Sequence, residues 1–202
     1  VVVVWLGYSI YQNQREPAST DPIKIGAILP LTGWGAYWGE GEVKGINLAV
    51  KDIRAAGGNI EVLVEDSGTE AKGAASAAQK LIDIDNVKGL FAEFTGPSSA
   101  VSPIAFQKRI PLIYDALTKK PLADNPHSLK MYFDIEKECY KVAKYLSNRR
   151  YETLGGVILN LDFSSECKNG ITRAAEEGGA VIKFYDFNTD TVDFRTIIAK
   201  MK

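Results

Sequence analysis

The sequence of 202 residues has little of what most catalytic and electrostatic binding sites require. It contains one histidine and two cysteines, and its formal net charge is −1. A zinc site or a serine–histidine pair would have to use His127, which follows Pro126 in a polar stretch. The near-zero charge argues against the basic surface of a nucleic-acid-binding protein. We therefore expect no enzyme, no metal, no cofactor and no nucleic-acid partner.

The sequence also has no apolar run long enough to span a bilayer. Its N-terminal run, VVVVWLGYSIY, has 11 residues, whereas a transmembrane helix needs about 20. Since residue 1 is not methionine, we interpret this run as the tail of a longer signal peptide or membrane anchor. Residues 1–22 are then an anchor or signal tail with a polar tether. We expect an extracytoplasmic protein, in the periplasm or at the cell surface.

The sequence does contain a regular alternation of apolar strands and amphipathic helices. Strand–helix alternation predicts βαβ units, that is, an α/β fold with a parallel sheet and helices on both faces. A long polar connection over residues 115–135 interrupts the pattern, and we interpret it as a crossing between two lobes. The first four predicted strands are Ile23 to Leu29, Ile60 to Val64, Val87 to Phe94 and Ile110 to Tyr114.

The loop after the first strand is crowded with glycine and with Trp34, Tyr37 and Trp38. Ligands of open α/β sheets bind outside the carboxyl ends of the strands, so these aromatics favour a wall for an apolar ligand. A packed surface loop is the alternative. A dinucleotide site, with Asp66 binding a ribose, fits poorly because the glycine spacing is one residue too long.

Thr95-Gly96-Pro97 predicts a second site. We expect Thr95 to cap a helix that has proline at its first position. The N–H groups and the positive dipole end of a helix start suit a carboxylate. On the residues alone, a carboxylate site and a merely well-capped helix are equally good interpretations. Ala116-Leu117-Thr118 follows the fourth strand at the same edge of the sheet.

Four segments resemble the periplasmic branched-chain amino-acid-binding proteins of ABC transporters, the Leu/Ile/Val-binding family. They are IKIGAILPLTGWGAYWGEGEVKGINLAVKDIRAAGG, VLVEDSGTEAKGAASAAQKLID, SSAVSPIAFQKRIPLIYDALT and, more loosely, DFRTIIAKMK. The resemblance implies the type I periplasmic-binding-protein fold, with two doubly wound parallel-sheet lobes and the second incomplete here. The implied divisions are a first lobe over 23–118, a crossover or hinge over 119–134, and the start of a second lobe over 135–202.

The resemblance also implies the ligand contacts. It places Trp38 against the ligand side chain and Thr95 and Gly96 at the carboxylate, with Ala116 and Thr118 meeting the polar groups of the ligand. The family's second-lobe loop carries an aromatic where this sequence reads Cys167-Lys168-Asn169-Gly170, so we expect that closing aromatic to be lost. The acidic partner of the ligand ammonium would lie beyond Lys202.

The same resemblance places Cys139 and Cys167 on the cleft-facing edge of the second lobe, and a disulfide between them is a hypothesis. Two unrelated thiols are the alternative, since pairing is not readable from sequence. We expect a monomeric solute-binding protein that passes an amino acid or similar small amphipathic ligand to an ABC permease. A ligand sensor with the same fold is the alternative function.

Overall fold

The computed structural model describes residues 21–123, 125–149 and 151–201. The predicted signal or anchor tail and nearly all of its tether therefore lie outside the described residues. Across the three described ranges, the helices are too short or too polar to cross a bilayer.

Seven strands and seven helices alternate along the described chain. The strands are β1 (Ile23–Leu29), β2 (Ile60–Asp66), β3 (Gly89–Glu93), β4 (Leu112–Asp115), β5 (Ser128–Lys130), β6 (Thr153–Leu159) and β7 (Val181–Phe187). The helices are α1 (Ala36–Ala55), α2 (Ala71–Asp83), α3 (Thr95–Gln107), α4 (Lys120–Ala123), α5 (Ile135–Ser147), α6 (Ser164–Gly178) and α7 (Arg195–Met201).

The first five strands form one parallel sheet in the order β2-β1-β3-β4-β5. This is a doubly wound order. The strand order reverses between β1 and β3, and ligands bind at such a switch point. We call this sheet and its helices the first lobe. The predicted parallel α/β sheet is confirmed, and the loop with Trp34 leaves β1 directly at the switch point.

The second lobe consists of the parallel pair β6-β7 with α5, α6 and α7. Its helices α5 and α6 pack closely: a Cβ built on Gly170 would come within 2.2 Å of the Glu136 carbonyl oxygen. The short strand β5 falls within the predicted crossover over 119–134 and pairs with β4 of the first lobe. The proposed domain boundaries stay a prediction.

The core of the first lobe lies between the sheet and helices α2 and α3. Helix α2 turns small side chains to the sheet at helical spacing, so that its backbone approaches closely, and Leu81 fills the space beside Gly26. Tyr114 and Leu112 of β4 are fully buried on the same side. The core residues are Ile28, Ala74, Ala77, Ala78, Leu81, Ile82, Val87, Leu90, Ala92, Val101, Ala105, Leu112, Tyr114 and Ala116.

Helix α1 begins earlier than the apolar pattern indicates. Its first residue is Ala36 rather than Gly41, so the aromatic positions Tyr37 and Trp38 belong to the helix and not to the loop. Gly39 makes this possible, because a Cβ at that position would come within 2.3 Å of the Pro30 carbonyl oxygen. Only glycine lets the first turn of α1 pack against the end of β1.

Candidate ligand-binding cleft

A cleft of about 1090 Å³ lies at the carboxyl ends of β1, β3 and β4. Its walls come from the first turns of α1 and α3 and from the segment after β4. Tyr132 and Phe133 of the connecting segment contribute to it, as do Leu161, Asp162 and Phe163 from the loop between β6 and α6. Residues of both lobes therefore face one cleft at the switch point of the first sheet.

Asp66, at the end of β2, holds the loop after β1 in place. Its carboxylate accepts hydrogen bonds from the backbone N–H groups of Leu31, Thr32 and Gly68 at 2.9, 3.1 and 2.7 Å, and from the Thr32 hydroxyl at 2.6 Å. Burial acts to raise the pKa of Asp66, but these hydrogen bonds outweigh it and leave the pKa below its ordinary value. Asp66 thus orders the loop that carries the aromatics.

Three aromatic rings form one wall of the cleft. Trp34 stacks on Phe94 with ring centroids 5.0 Å apart, and Trp38 meets both rings edge-on at 6.2 and 6.0 Å. Tyr37 extends the wall beside Trp38. Trp34 and Trp38 remain about half exposed, so the rings pack against one another and still present surface to the cleft. We call Trp34, Trp38 and Phe94 the aromatic wall.

Phe94 is held in a conformation that L-residues rarely adopt, with φ +66° and ψ 151°. This region belongs almost entirely to glycine and costs on the order of 1–3 kcal/mol for other residues. The backbone turn brings the Phe94 ring onto Trp34 immediately before α3. Strain of this kind concentrates at ligand-binding positions.

Helix α3 begins at Thr95 with Phe94 as its N-cap residue and without a side-chain cap. The prediction that Thr95 caps the helix is therefore wrong, because the hydroxyl has another partner. Thr95 Oγ1 accepts a hydrogen bond from the Leu117 N–H at 3.2 Å, and the Leu117 carbonyl accepts one from Ile135 at the start of α5. Thr95 thereby joins the start of α3 to the segment leading into the second lobe.

The start of α3 also meets the second lobe through Asp162. A Cβ built on Gly96 would come within 2.5 Å of Asp162 Oδ2, so the absence of a side chain at Gly96 admits this carboxylate. The positive end of a helix dipole stabilises a nearby anion. A carboxylate of the protein itself therefore lies where the sequence predicts a ligand carboxylate.

A cluster of three acidic side chains lies at the base of the cleft. Glu93 ends β3, Asp115 ends β4 as its register partner in the sheet, and Glu42 reaches them from α1. We call these three residues the carboxyl cluster. Glu93 is 5% exposed. Among the described residues, no N–H or hydroxyl group donates to the Oε2 atoms of Glu93 and Glu42, and the two carboxyls contact each other.

The surroundings of the carboxyl cluster favour the neutral form of each acid. Burial, the carboxyl of Glu42 and the charges of Glu42 and Asp115 raise the pKa of Glu93 to about 9. Burial likewise raises the pKa of Glu42, opposed by its contact with Glu93, and the pKa of Asp115, opposed by the charge of Lys130. A contact between two carboxyls requires that they share a proton.

The charge of Lys130, on β5, acts on Asp115, but its ammonium group is already engaged. It donates to the backbone carbonyls of Tyr132 and Phe133, each at 2.5 Å. These bonds hold the two rings, whose centroids are 4.2 Å apart, at the edge of the cleft. Burial lowers the pKa of Lys130 against the charges of Asp134 and Asp115. The carboxyl cluster thus has no dedicated ion-pair partner among the described residues.

The structure brings four of the five predicted contact residues to the cleft. Trp38, Thr95, Gly96 and Ala116 line it. It does not bring Thr118 there: that side chain is 3% exposed, and its hydroxyl oxygen accepts a hydrogen bond from the Lys120 N–H at 3.3 Å. The ligand contacts predicted for these five residues stay predictions.

The expected loss of the second-lobe aromatic needs correction. Cys167 lies in the first turn of α6 and is buried, so it does not face the cleft. Phe163, directly before that helix, does line the cleft. The alignment of the Cys167–Gly170 run with the family's aromatic loop therefore missed the ring that this lobe presents.

Cys139 and Cys167 are joined by a disulfide, with their Cα atoms 5.3 Å apart. The bond links α5 to the first turn of α6. Both cysteines therefore form a structural cross-link within the second lobe. His127 is exposed and faces Phe106 on the first lobe. In the described part of the chain, no group of histidine, cysteine and acidic residues has the arrangement of a metal site.

Sequence reasoning missed the carboxyl cluster. The available signal was position, because Glu93 and Asp115 each end a strand of the predicted sheet, and the carboxyl ends of neighbouring strands meet at one edge. What was missing was the strand order, since only the pairing of β3 with β4 makes these two acids neighbours.

A family model described as "Periplasmic binding protein" matches residues 22–202. Among curated relatives, "Leu/Ile/Val-binding protein homolog 7" of Brucella abortus (strain 2308) is 26% identical over 216 aligned positions. The alignment takes in 99% of this chain and 54% of the relative. The chain therefore spans about half the length of the curated relatives it matches.

Two solved structures share the fold. A leucine-binding protein, LivK, of Thermotoga maritima MSB8 superposes with a TM-score of 0.79 at 22% identity, over 89% of this chain and 53% of that protein. A solute-binding protein of an ABC transporter from Rhodopseudomonas palustris BisB5, in complex with 3,4-dihydroxybenzoic acid, superposes with a TM-score of 0.80 at 22% identity. That match covers 90% of this chain and 51% of the other.

Proposed function

Because this chain belongs to the periplasmic binding protein family, we propose that it is the solute-binding component of an ABC importer. It captures a small amphipathic ligand, an amino acid or a close relative, between its two lobes. Membership of this family implies an extracytoplasmic location. We propose that the protein delivers its ligand to a permease in the membrane and performs no chemistry on it.

The observation that carries this proposal is the cleft shared by both lobes. Trp38 and Phe94 line it from the first lobe and Phe163 from the second, so a ligand seated there contacts both. Such a ligand favours the conformation in which the lobes approach, by as much as its affinity for the two conformations differs. The aromatic wall supplies the apolar contact and the strand ends supply polar groups, which is the usual composition of a small-molecule site.

The ligands named for two similar proteins support a ligand of small size. One structural relative is named for leucine and another holds 3,4-dihydroxybenzoic acid. Both molecules are small, with one apolar and one polar part. The cleft volume of about 1090 Å³ is at the upper end of ordinary ligand sites, and closure of the lobes would reduce it.

The test is a binding panel on the protein expressed at the full length of its gene. Isothermal titration calorimetry against the twenty amino acids, small amines and small aromatic acids should find a ligand with a dissociation constant in the micromolar range or below. Intrinsic fluorescence should change on binding, since two of the three tryptophans, Trp34 and Trp38, line the cleft. A protein that binds nothing in the panel but turns over a substrate would refute a solute-binding role.

A matched pair of variants assigns binding to the cleft. Trp38→Ala should weaken ligand binding by about tenfold or more, since loss of a well-packed aromatic contact costs on the order of 1–2 kcal/mol. Tyr145→Ala removes an exposed aromatic of α5 that does not line the cleft and should leave the affinity unchanged. Equal effects of the two variants would place the ligand elsewhere.

A further inference from the structure

The cleft is acidic although the whole chain is nearly neutral. Its lining includes six carboxyl side chains and one lysine, while the formal net charge of the chain is −1. Clefts with walls of low dielectric constant focus the field of the charges that line them. The acidic residues are Glu40, Glu42, Glu70, Glu93, Asp115 and Asp162, and the lysine is Lys44.

Glu93 shows that this acidity is more than a solvated acidic surface. It is 5% exposed and lines the cleft, and among the described residues no N–H or hydroxyl group donates to its Oε2 atom. The polar group beside it is a second acid, Glu42. Buried acids are ordinarily satisfied by donors of the protein. A buried acid that faces a cavity and has only another acid as its polar neighbour is therefore suited to a cation that arrives with the ligand.

The aromatic wall lies beside the carboxyl cluster because Phe94 directly follows Glu93 in the chain. The faces of aromatic rings carry negative electrostatic potential and attract ammonium and quaternary ammonium groups, most strongly for tryptophan. Trp34, Trp38 and Phe94 together expose such surface to the cleft. The rings and the carboxyls thus favour the same sign of ligand charge.

The start of α3, which suits an anion, already faces one. Asp162 Oδ2 lies against Gly96 at the start of α3, so a ligand carboxylate at that helix start would have to displace a carboxylate of the protein. Like charges at such distances repel. The polar groups that line the cleft therefore favour a cationic ligand over an anionic one.

From these observations we propose that the cleft takes an organic cation, a small apolar molecule with an ammonium or quaternary ammonium group and no carboxylate. The cationic group sits between the aromatic wall and the carboxyls of Glu42, Glu93 and Asp115. This inference rests on the proposed solute-binding function. It keeps a small amphipathic ligand but assigns an organic cation in place of the amino acid.

The first experiment compares three probes that share the isobutyl side chain of leucine. They are 3-methylbutylamine, leucine and 4-methylpentanoate, which carry the ammonium group alone, both charged groups, and the carboxylate alone. Calorimetry at pH 7.5 and low salt should give the tightest binding for the amine and the weakest for the acid, by at least tenfold. Tighter binding of leucine or of the acid would overturn the cation proposal and leave the solute-binding proposal standing.

A second pair of probes has the same shape but differs in charge. Choline and 3,3-dimethylbutan-1-ol differ in having nitrogen or carbon at the branched centre, and hence in charge. Choline should bind at least tenfold more tightly. Equal affinities, or no binding of choline and of the amine at millimolar concentration, would also overturn the proposal, whereas the wider binding panel tests the solute-binding function separately.

Variants test whether the carboxyl cluster is responsible. Glu42→Gln and Glu93→Gln keep the side-chain shape and should each weaken binding of the cationic probes by about tenfold or more. Binding of the neutral alcohol should stay unchanged. Glu152→Gln alters an exposed acid outside the cleft and serves as the matched control. Cation affinities unchanged in both cluster variants would refute the assignment.

Proton release gives a readout that a merely structural acid would not supply. A cation beside the cluster stabilises the ionised carboxyls, so binding near neutral pH should release protons. Calorimetry in two buffers of different ionisation enthalpy measures that number. The groups that face Glu93 are Glu42 on α1, Asp115 on β4 and, beyond Asp115, Lys130 on β5. Lys44 and Asp162 line the same cleft. Release should vanish in Glu93→Gln, and its persistence there would assign the protons elsewhere.

Discussion

Glu93 links the stability of the first lobe to the chemistry of its cleft. Burial and two neighbouring acids raise its pKa from 4.5 to about 9, so the folded protein holds a proton that the unfolded chain releases above about pH 4.5. Stability that depends on this proton is complete below the unfolded pKa and is lost as the pH rises toward the folded pKa. At neutral pH, Glu93 therefore destabilises the first lobe.

Glu93→Gln should remove that pH dependence. We expect the melting temperature of the ligand-free parent protein to fall between about pH 5 and pH 9, and that of the variant to fall less. At pH 8 the variant should be more stable by on the order of 1–3 kcal/mol. Thermal unfolding followed by circular dichroism across this pH range measures both curves. Parallel curves, with Glu152→Gln as the control, would show that Glu93 is ionised at no special cost.

Residue by residue, the site was predictable where one segment carries the signal. A place in the cleft is predictable for Trp38 from the aromatic segment that follows β1, and for Gly96 from the start of α3. Glu93 was not, because it reads as the last residue of an ordinary strand, and its neighbours Asp115 and Glu42 come from other elements. Thr95 was assigned to a cap, but tertiary contact with Leu117 takes its hydroxyl. Contacts between residues far apart in the sequence explain both the overlooked role of Glu93 and the wrong assignment of Thr95.

At the scale of elements, the packing of α5 on α6 depends on glycine. A Cβ on Gly170 would meet the Glu136 carbonyl oxygen at 2.2 Å and the Tyr140 nitrogen at 3.0 Å. Further along, a Cβ on Gly178 would meet the Ser147 side chain at 2.4 Å. Backbone atoms cannot move aside as a flexible side chain does, so the helices would have to separate.

Gly170→Ala should therefore destabilise the second lobe by about 1–3 kcal/mol, the usual cost of overpacking. Gly45→Ala is the matched control, because a Cβ at that exposed position of α1 meets nothing within 4 Å. It should stabilise the protein by about 0.5–1 kcal/mol through helix propensity. Denaturant unfolding of the two variants measures the opposite signs, and destabilisation by both would contradict the packing argument.

Most elements are predictable, since apolar periodicity indicates the strand–helix alternation and the resemblance to the family is confirmed. Helix α4 is the exception, because it lies in the stretch predicted as a long polar connection. The ends of the elements were less predictable. Helix α1 starts at Ala36 because Gly39 lets it approach Pro30. Strand β7 continues to Phe187, whereas the apolar pattern predicts a strand over Ala180 to Phe184. Strand β7 is extended by pairing with β6 in register to Leu159. Contacts between elements, and not local propensity, set these boundaries.

At the scale of the whole molecule, the two lobes are stabilised differently. The first has an apolar core between its sheet and helices α2 and α3. The second has fewer fully buried side chains, and ion pairs such as Arg173–Glu136 and Lys144–Glu177 join α5 to α6 at partly exposed positions. Exposed ion pairs contribute little. The disulfide between Cys139 and Cys167 therefore has a larger share in the second lobe than any surface contact.

Removing the disulfide should accordingly affect one lobe. Its closed loop has a sequence separation of 28 residues, for which chain entropy gives a stabilisation of about 3–4 kcal/mol. In the variant Cys139→Ala/Cys167→Ala, hydrogen exchange should accelerate in peptides from α5 and α6 and stay unchanged in β1, β3 and α2. Mass spectrometry of exchange in the full-length protein measures this by segment. Adding a reductant to the parent protein should reproduce the pattern, and the variant should not respond to it. Equal acceleration in both lobes would mean that they unfold as one unit, and the cleft would then lose its first-lobe wall together with the second.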